Sequence, residues 1–229
     1  MPQFTLYGAR GSTNTDRVRL TLADAGLTDY GLVLLNLMKG EQKSPDNMKR
    51  HPWGKVPAVE FPDGLVLYES RAICKFLAQK YNFPLLPEVA DTTATALFDQ
   101  AQSVEILYFA DPAGRIAFEK IAKKFMGLPA DEAVVESSLR AVEAYFDVAE
   151  KILEKQEYMA GATFSLVDIY YIPLITRLFA VGFGELLLGD RPAVKVWWER
   201  VTSRPGIQAL LEADKKAAAA AAATMAAKQ

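Results

Sequence analysis

The polar residues Ser12, Gln42, Lys43, Lys55, Glu69 and Ser70 carry the chemistry that the first third of this chain could perform. A hydroxyl at a helix start lies beside unpaired backbone N–H groups and the positive end of the helix dipole. An anion is stabilised there, and the hydroxyl can donate a hydrogen bond to it. Ser12 falls at such a place, and Ser70, next to Glu69, opens another helix. Lys43 and Lys55 could each meet a carboxylate, Ser70 a second one, and Glu69 could hold an ammonium. Val56, kept open by Pro57, could pair with a ligand's backbone as an added strand would. Taken singly, each residue reads as a cap, a solvated charge or a turn. Together they describe a cleft for an extended, anionic, peptide-like ligand.

The elements that must position these residues follow from pattern. Phe4, Leu6 and Tyr7 form a short strand-like run, broken by the turn residues Gly8 to Thr13. Val18, Leu22 and Ala25 recur at helical spacing, and Gly26 is the stop. The continuous apolar run Leu32 to Leu35 suits a strand buried on both faces, so strand, helix and strand make a βαβ unit. A polar stretch, Lys39 to Asp46, predicts a loop with a short irregular helix, ending in His51-Pro52-Trp53-Gly54-Lys55. Val56 to Phe61 starts a strand, Pro62-Asp63-Gly64 turns it, and Leu65 to Tyr68 returns antiparallel. A helix from Glu69-Ser70 to about Tyr81 turns Ala72, Ile73, Phe76 and Leu77 inward.

The order βαβαββα predicts an α/β domain over residues 1–82, with a mixed sheet covered by helices. Residues 83–93, rich in proline and without period, read as a linker, and residues 94–216 as an all-helical domain. There Leu97, Ala101, Val104 and Tyr108 line one helix face, disturbed near Asp111-Pro112. Leu139, Val142, Phe146, Ala149 and Leu153 follow bundle spacing in a helix region that Met159-Ala160-Gly161 ends. Ser165 and Asp168 form a capping pattern before the apolar run Ile169 to Phe179. Pro192 and Pro205 start further helices, with Trp197 and Trp198 between them. Residues 217–229, rich in alanine, have no face to bury and read as a fraying tail without chemistry.

Composition narrows the function. A formal net charge of −2 with scattered cations gives no nucleic-acid partner, and no apolar run is long enough to span a membrane. The start, Met1-Pro2-Gln3-Phe4, lacks a secretion-signal layout, so a cytoplasmic location is expected. The single cysteine, Cys74, sits on an apolar face and reads as a buried structural thiol; it excludes an internal disulfide and a cysteine metal cluster. With one histidine, His51, and no nucleophile elbow, serine-hydrolase chemistry is discounted, and no metal-ligand spacing is visible.

Gly54-Lys55-Val56-Pro57, then Leu67-Tyr68-Glu69-Ser70-Arg71-Ala72-Ile73, then Phe164-Ser165-Leu166-Val167-Asp168 resemble the cytosolic glutathione transferases over all but the tail. The segments Gly8 to Val18 and Trp198 to Pro205 look most like the phi class. The resemblance implies a thioredoxin-like half, a helical half with a hydrophobic ligand site, and a homodimer. It implies that Ser12 is the catalytic serine, donating to the glutathione sulfur, and that Gln42 and Lys43 bind the glycyl carboxylate. Lys55 would lie beside the tripeptide, Val56 would pair with its cysteinyl unit, Pro57 would be cis, and Glu69 and Ser70 would hold the γ-glutamyl end. Gln42 departs from the histidine common in the phi class, and Lys55 from the glutamine. The expected activity joins the glutathione thiolate to small hydrophobic electrophiles, with glutathione as co-substrate and no metal; reduction of organic hydroperoxides is a further expectation. The electrophile would sit in an apolar pocket between the domains, fed by the helix that contains Leu107, Tyr108 and Phe109, and Trp53 would pack at the dimer interface or anchor its loop. The alternatives are a non-catalytic carrier of apolar compounds and a scaffold module of the same fold.

Overall fold

The computed structural model describes residues 2–226. β1 (Thr5–Gly8) pairs in parallel with β2 (Gly31–Leu34) and antiparallel with β3 (Ala58–Glu60), which pairs antiparallel with β4 (Val66–Tyr68). The sheet order is therefore β2-β1-β3-β4. α1 (Thr13–Asp24) packs on α3 (Ser70–Lys80), and Leu6, Val18, Leu22, Val59, Ile73 and Leu77 form the buried layer of this half. Two 3₁₀ turns, Leu37–Lys39 and Glu41–Lys43, and the short α2 (Pro45–Arg50) fill the polar stretch between β2 and β3.

Two expectations fail here. β2 is not buried on both faces: it is an edge strand with a neighbour on one side only, and Leu32, Val33 and Leu34 are each about 40 % exposed. On α3, Ala72 is exposed and Cys74 is buried in its place, because the helical period turns Ala72 away from the α1 contact.

The second half is helical. α4 (Thr92–Val104) continues through a π-helical turn at Glu105–Ala110 into α5 (Asp111–Ala117) and, through another at Phe118–Ala122, into α6 (Lys123–Phe125). Pro112 is thus accommodated at the start of α5, just after a wide turn. Of the stripe Leu97–Ala101–Val104–Tyr108, only Ala101 and Val104 pack, half-buried, against the core. Leu97 and Tyr108 are exposed, and the buried row is Phe98, Glu105 and Phe109, one step round the helix. α7 (Glu132–Leu153) buries Val142, Phe146, Ala149 and Leu153 as its spacing predicts, and ends before the turn at Met159–Gly161.

α8 (Leu166–Ala180) is the central helix, buried from Leu166 through Ile175. Its capping box is complete, and the buried Asp168 carboxylate also accepts from Met159 N and Trp197 Nε1, each at 2.9 Å. α9 (Gly184–Leu188) is short, while α10 (Pro192–Thr202) and α11 (Pro205–Ala226) begin at prolines. Arg19 pairs with Asp214, and Arg204 with Asp24, fastening α11 and its lead-in to α1. The alanine-rich stretch is helical to Ala226, and residues 217–220 are exposed; the last three residues of the expected tail lie outside the described residues. Buried side chains of both halves join in one continuous core.

Candidate active site

Because β3 runs against β1 and β4, and β2 runs with β1, one end of the sheet collects several exits. The turn to Ser12, the loop carrying Gln42 and Lys43, the approach Lys55–Pro57 and the junction Glu69–Ser70 all leave from that end. The site predicted from sequence is therefore gathered by strand direction alone.

Ser12 is the N-cap of α1, with extended backbone (φ −82°, ψ 115°), and its Oγ accepts from the Thr15 N–H at 3.3 Å. A hydroxyl has one donor and two acceptor positions. Capping uses acceptor capacity and leaves the proton for an outward partner, so the cap reading and the donor reading of Ser12 are compatible.

The start of α3 is built differently. Glu69 stands at its N-cap with φ +69°, a left-handed conformation that side chains with a Cβ rarely adopt, and makes no capping bond. Ser70 is buried, and its Oγ accepts from Arg17 Nη1 at 2.8 Å. Arg17 is 1 % exposed and also donates to Asn14 Oδ1 at 2.6 Å, so it ties the first turns of both helices together. Burial, with the neighbouring Arg71 adding repulsion and Glu105 opposing it, brings the Arg17 guanidinium down to about 10, still a cation at neutral pH. Arg71 forks onto the fully buried Glu105 carboxylate at 2.7 and 2.7 Å, linking α3 to the first π-helical turn.

On the other flank, Lys43 Nζ donates to the Trp53 carbonyl at 2.7 Å. Gly54 makes this crossing possible: its φ is +58°, and a Cβ there would meet Lys43 Cδ at 2.6 Å and Met48 Sδ at 2.7 Å. Val56 and Pro57 are buried, and the peptide between them is cis, as the resemblance implied. Lys55 is exposed, while Gln42 Oε1 is buried with no protein partner.

The structure thus brings the starts of α1 and α3 together through Arg17, which bonds Asn14 and Ser70, and sets Gln42 and Lys43 against the 53–55 loop, with Glu69 exposed at the same end. Sequence reading missed Arg17, Asn14, Arg71 and Glu105. The helical spacing Asn14–Arg17–Thr21, continuous with Val18, was the available signal, since Arg17, Val18 and Thr21 are all buried. On the helix expected to feed the electrophile pocket, Phe109 is fully buried, packed against Tyr145, Phe146 and Tyr171, whereas Leu107 and Tyr108 are exposed. Cys74 is fully buried, accepts from Thr21 Oγ1 at 3.2 Å, and burial pushes its thiol up to about 11, so it is protonated and sealed. Among the described residues, no cluster of His, Cys, Asp and Glu is placed to hold a metal ion.

Residues 2–79 match the glutathione S-transferase N-terminal domain, and residues 109–205 match the glutathione S-transferase C-terminal domain. A glutathione S-transferase of Arabidopsis thaliana, PM239X14, is 38 % identical over 84 % of this chain and 88 % of its own. Glutathione S-transferase hmp2 of Hypomyces subiculosus is 36 % identical over 87 % and 93 %. Among solved structures, glutathione transferase F7 from Populus trichocarpa superposes with a TM-score of 0.85 at 30 % identity, covering 91 % of this chain and 98 % of that one. Maize glutathione S-transferase I, in complex with an atrazine glutathione conjugate, superposes with a TM-score of 0.85 at 34 % identity, covering 93 % and 98 %. The chain belongs to the glutathione S-transferase family. Within it, the similarity is to the phi class of plants.

Proposed function

We propose that this protein joins the thiolate of glutathione to small hydrophobic electrophiles, and that Ser12 is the catalytic residue. A free thiol titrates near pH ~8.5, so only a few per cent is thiolate at neutral pH. A hydroxyl donor and a helix N-terminus both favour the anion. Lowering the thiol pKa by about two units corresponds to roughly 2.7 kcal/mol and makes thiolate the majority form. Ser12 then acts as a donor to sulfur, neither base nor covalent nucleophile. The observation that carries this reading is the Ser12 Oγ at the α1 N-cap, its acceptor side taken by Thr15 N–H and its proton available.

The other contacts follow the same chemistry. Gln42, Lys43 and Lys55 would meet the glycyl carboxylate, the Val56 main chain beside Pro57 would pair with the cysteinyl unit, and Glu69 with Ser70 would hold the γ-glutamyl ammonium and carboxylate. Leu107 and Tyr108, exposed on the first π-helical turn, are the apolar groups offered to the electrophile. Trp53, 60 % exposed at a loop tip, would be covered by a second copy in a homodimer. No helix among the described residues is long and apolar enough to cross a membrane.

The experiment is a thiolate titration, by ultraviolet absorbance, of glutathione bound to the purified protein, alongside turnover of an aryl halide. A thiol pKa below that of free glutathione, with turnover, supports the reading. Binding with an undisturbed thiol and no turnover leaves only a carrier of the ligand.

A further inference from the structure

The carboxylate side of the cleft is assembled from two segments that α2 keeps apart: the 3₁₀ turn with Gln42 and Lys43 before it, and Lys55–Val56 after it. One side chain closes that loop at its neck. Asn47, in the first turn of α2 and 1 % exposed, donates through Nδ2 to the Gln42 carbonyl at 2.8 Å and to the Lys55 carbonyl at 3.1 Å. Both neighbours are carbonyl oxygens, which fixes the end of the side-chain amide that faces them. Its own backbone is locked in turn: Asn47 N–H donates to Ser44 Oγ at 3.3 Å, and Asn47 O accepts from His51 N at 2.8 Å.

The other end of the same amide is telling. Asn47 Oδ1 is buried with no partner in the protein. An acceptor left without a partner is a cost that an apolar residue would avoid, so the side chain is useful for its donors. Those donors act on the backbone of two residues whose side chains would grip the ligand, and Asn47 itself is 1 % exposed.

We infer that Asn47 is a positioning residue for the carboxylate end of the thiol peptide: by clamping the Gln42 and Lys55 carbonyls to one amide, it sets the spacing between the side chains that hold the C-terminal carboxylate. This rests on the proposed glutathione site. It makes the clamp a determinant of which thiol peptide is accepted, because a peptide lacking the terminal glycine carries its C-terminal carboxylate one residue short of the clamped segments.

The test compares glutathione with γ-glutamylcysteine, using the full chain and a saturating aryl halide, in wild type and Asn47→Ala. Thermal denaturation confirms that the variant is folded at the assay temperature. Loss of the clamp should raise the KM for glutathione about tenfold, equivalent to about 1.4 kcal/mol, with kcat changed less than about twofold. The KM for γ-glutamylcysteine should move less than about twofold, so the preference for the full tripeptide collapses. A merely structural role would lower the active fraction and treat both peptides alike. Equal KM changes for both, an unchanged preference, or a fall in kcat alone overturns the inference. Failure of the underlying site shows separately, in wild type: no turnover with glutathione, or no preference for it over the shorter peptide, removes the carboxylate site and the clamp's role together. Should Asn47→Ala not fold, Asn47→Ser, whose hydroxyl is too short to span both carbonyls, replaces it under the same criteria.

Discussion

Two helices begin at the same end of the sheet, and they are finished in opposite ways. α1 carries its own cap, Ser12 on Thr15 N–H. α3 has no side-chain cap, a left-handed Glu69 in front of it, and supports brought from elsewhere: Arg17 from α1 onto Ser70, and Glu105 of the first π-helical turn onto Arg71. A self-capped end is rigid and has one proton to give. An end held from outside leaves Glu69 exposed at the cleft without a capping task, at the cost of depending on the rest of the fold. The division matches the proposed labour: a single hydrogen bond to sulfur at α1, and a charged amino-acid end recognised at α3.

Breaking the external support should have the largest effect. Arg71→Met leaves the Glu105 carboxylate, fully buried, without its partner, and should lower stability by about 3–5 kcal/mol in urea denaturation. A loss well under 1 kcal/mol would mean that α3 is held by its apolar face alone. Ser12→Ala inverts the pattern. Loss of the cap should cost only about 1 kcal/mol of stability. Conjugation should fall about 10²-fold, as for other donors aimed at a developing or stabilised anion, with glutathione affinity within a few-fold of wild type. If the rate survives, α1 is a structural end like any other.

Glu69 sharpens the contrast. A non-glycine residue in the left-handed region costs on the order of 1 kcal/mol, so Glu69→Gly should raise the melting temperature by about 2–4 °C. The same change removes the carboxylate proposed for the γ-glutamyl ammonium and should weaken glutathione binding about tenfold in calorimetry. Glu69→Ala should weaken binding equally without the thermal gain. Equal melting temperatures for the glycine and alanine variants would show that the backbone at this position carries no strain.

The element order, and with it the segments that meet at one end of the sheet, was legible because its signals are local or motif-borne: turn residues after β1, a Pro-Asp-Gly hairpin, a Ser-to-Asp capping box. What was not legible depends on sheet order and on closure between distant segments. Nothing in the run Leu32 to Leu35 says that no strand lies beyond it, so a strand with exposed side chains at the edge reads like a central one. Arg17 sits among Asn14, Thr15 and Asp16 and reads as a solvated charge until Ser70, far along the chain, closes over it. Asn47 lies in a polar loop where any amide looks exposed, and only the return of Lys55 to Gln42 buries it. The row Phe98–Glu105–Phe109 was hidden because a π-helical turn widens the period and because a glutamate is not expected in a core.

The smallest expected effect concerns the residues leading into the α3 junction. His51 is 2 % exposed, tilted against Tyr68 with ring centroids 4.9 Å apart and edge-on to Trp53, with Nδ1 unpartnered. Burial lowers its pKa below the ordinary value of about 6.5; Lys55 and Lys43 add to this, and Glu69 opposes it. The folded state therefore binds the proton less readily than the unfolded chain. Stability contributed by neutral His51 is present above pH ~6.5 and lost as pH falls below it, toward the lowered folded value. Because His51 is the only histidine, the comparison is clean. Wild type should lose more stability than His51→Phe between about pH 7.5 and 5.5, a window in which the excess loss reports the imidazole. Parallel stability curves for the two proteins would show that the ring reaches water before Tyr68 and Glu69 feel its charge, and that the α3 junction owes nothing to it.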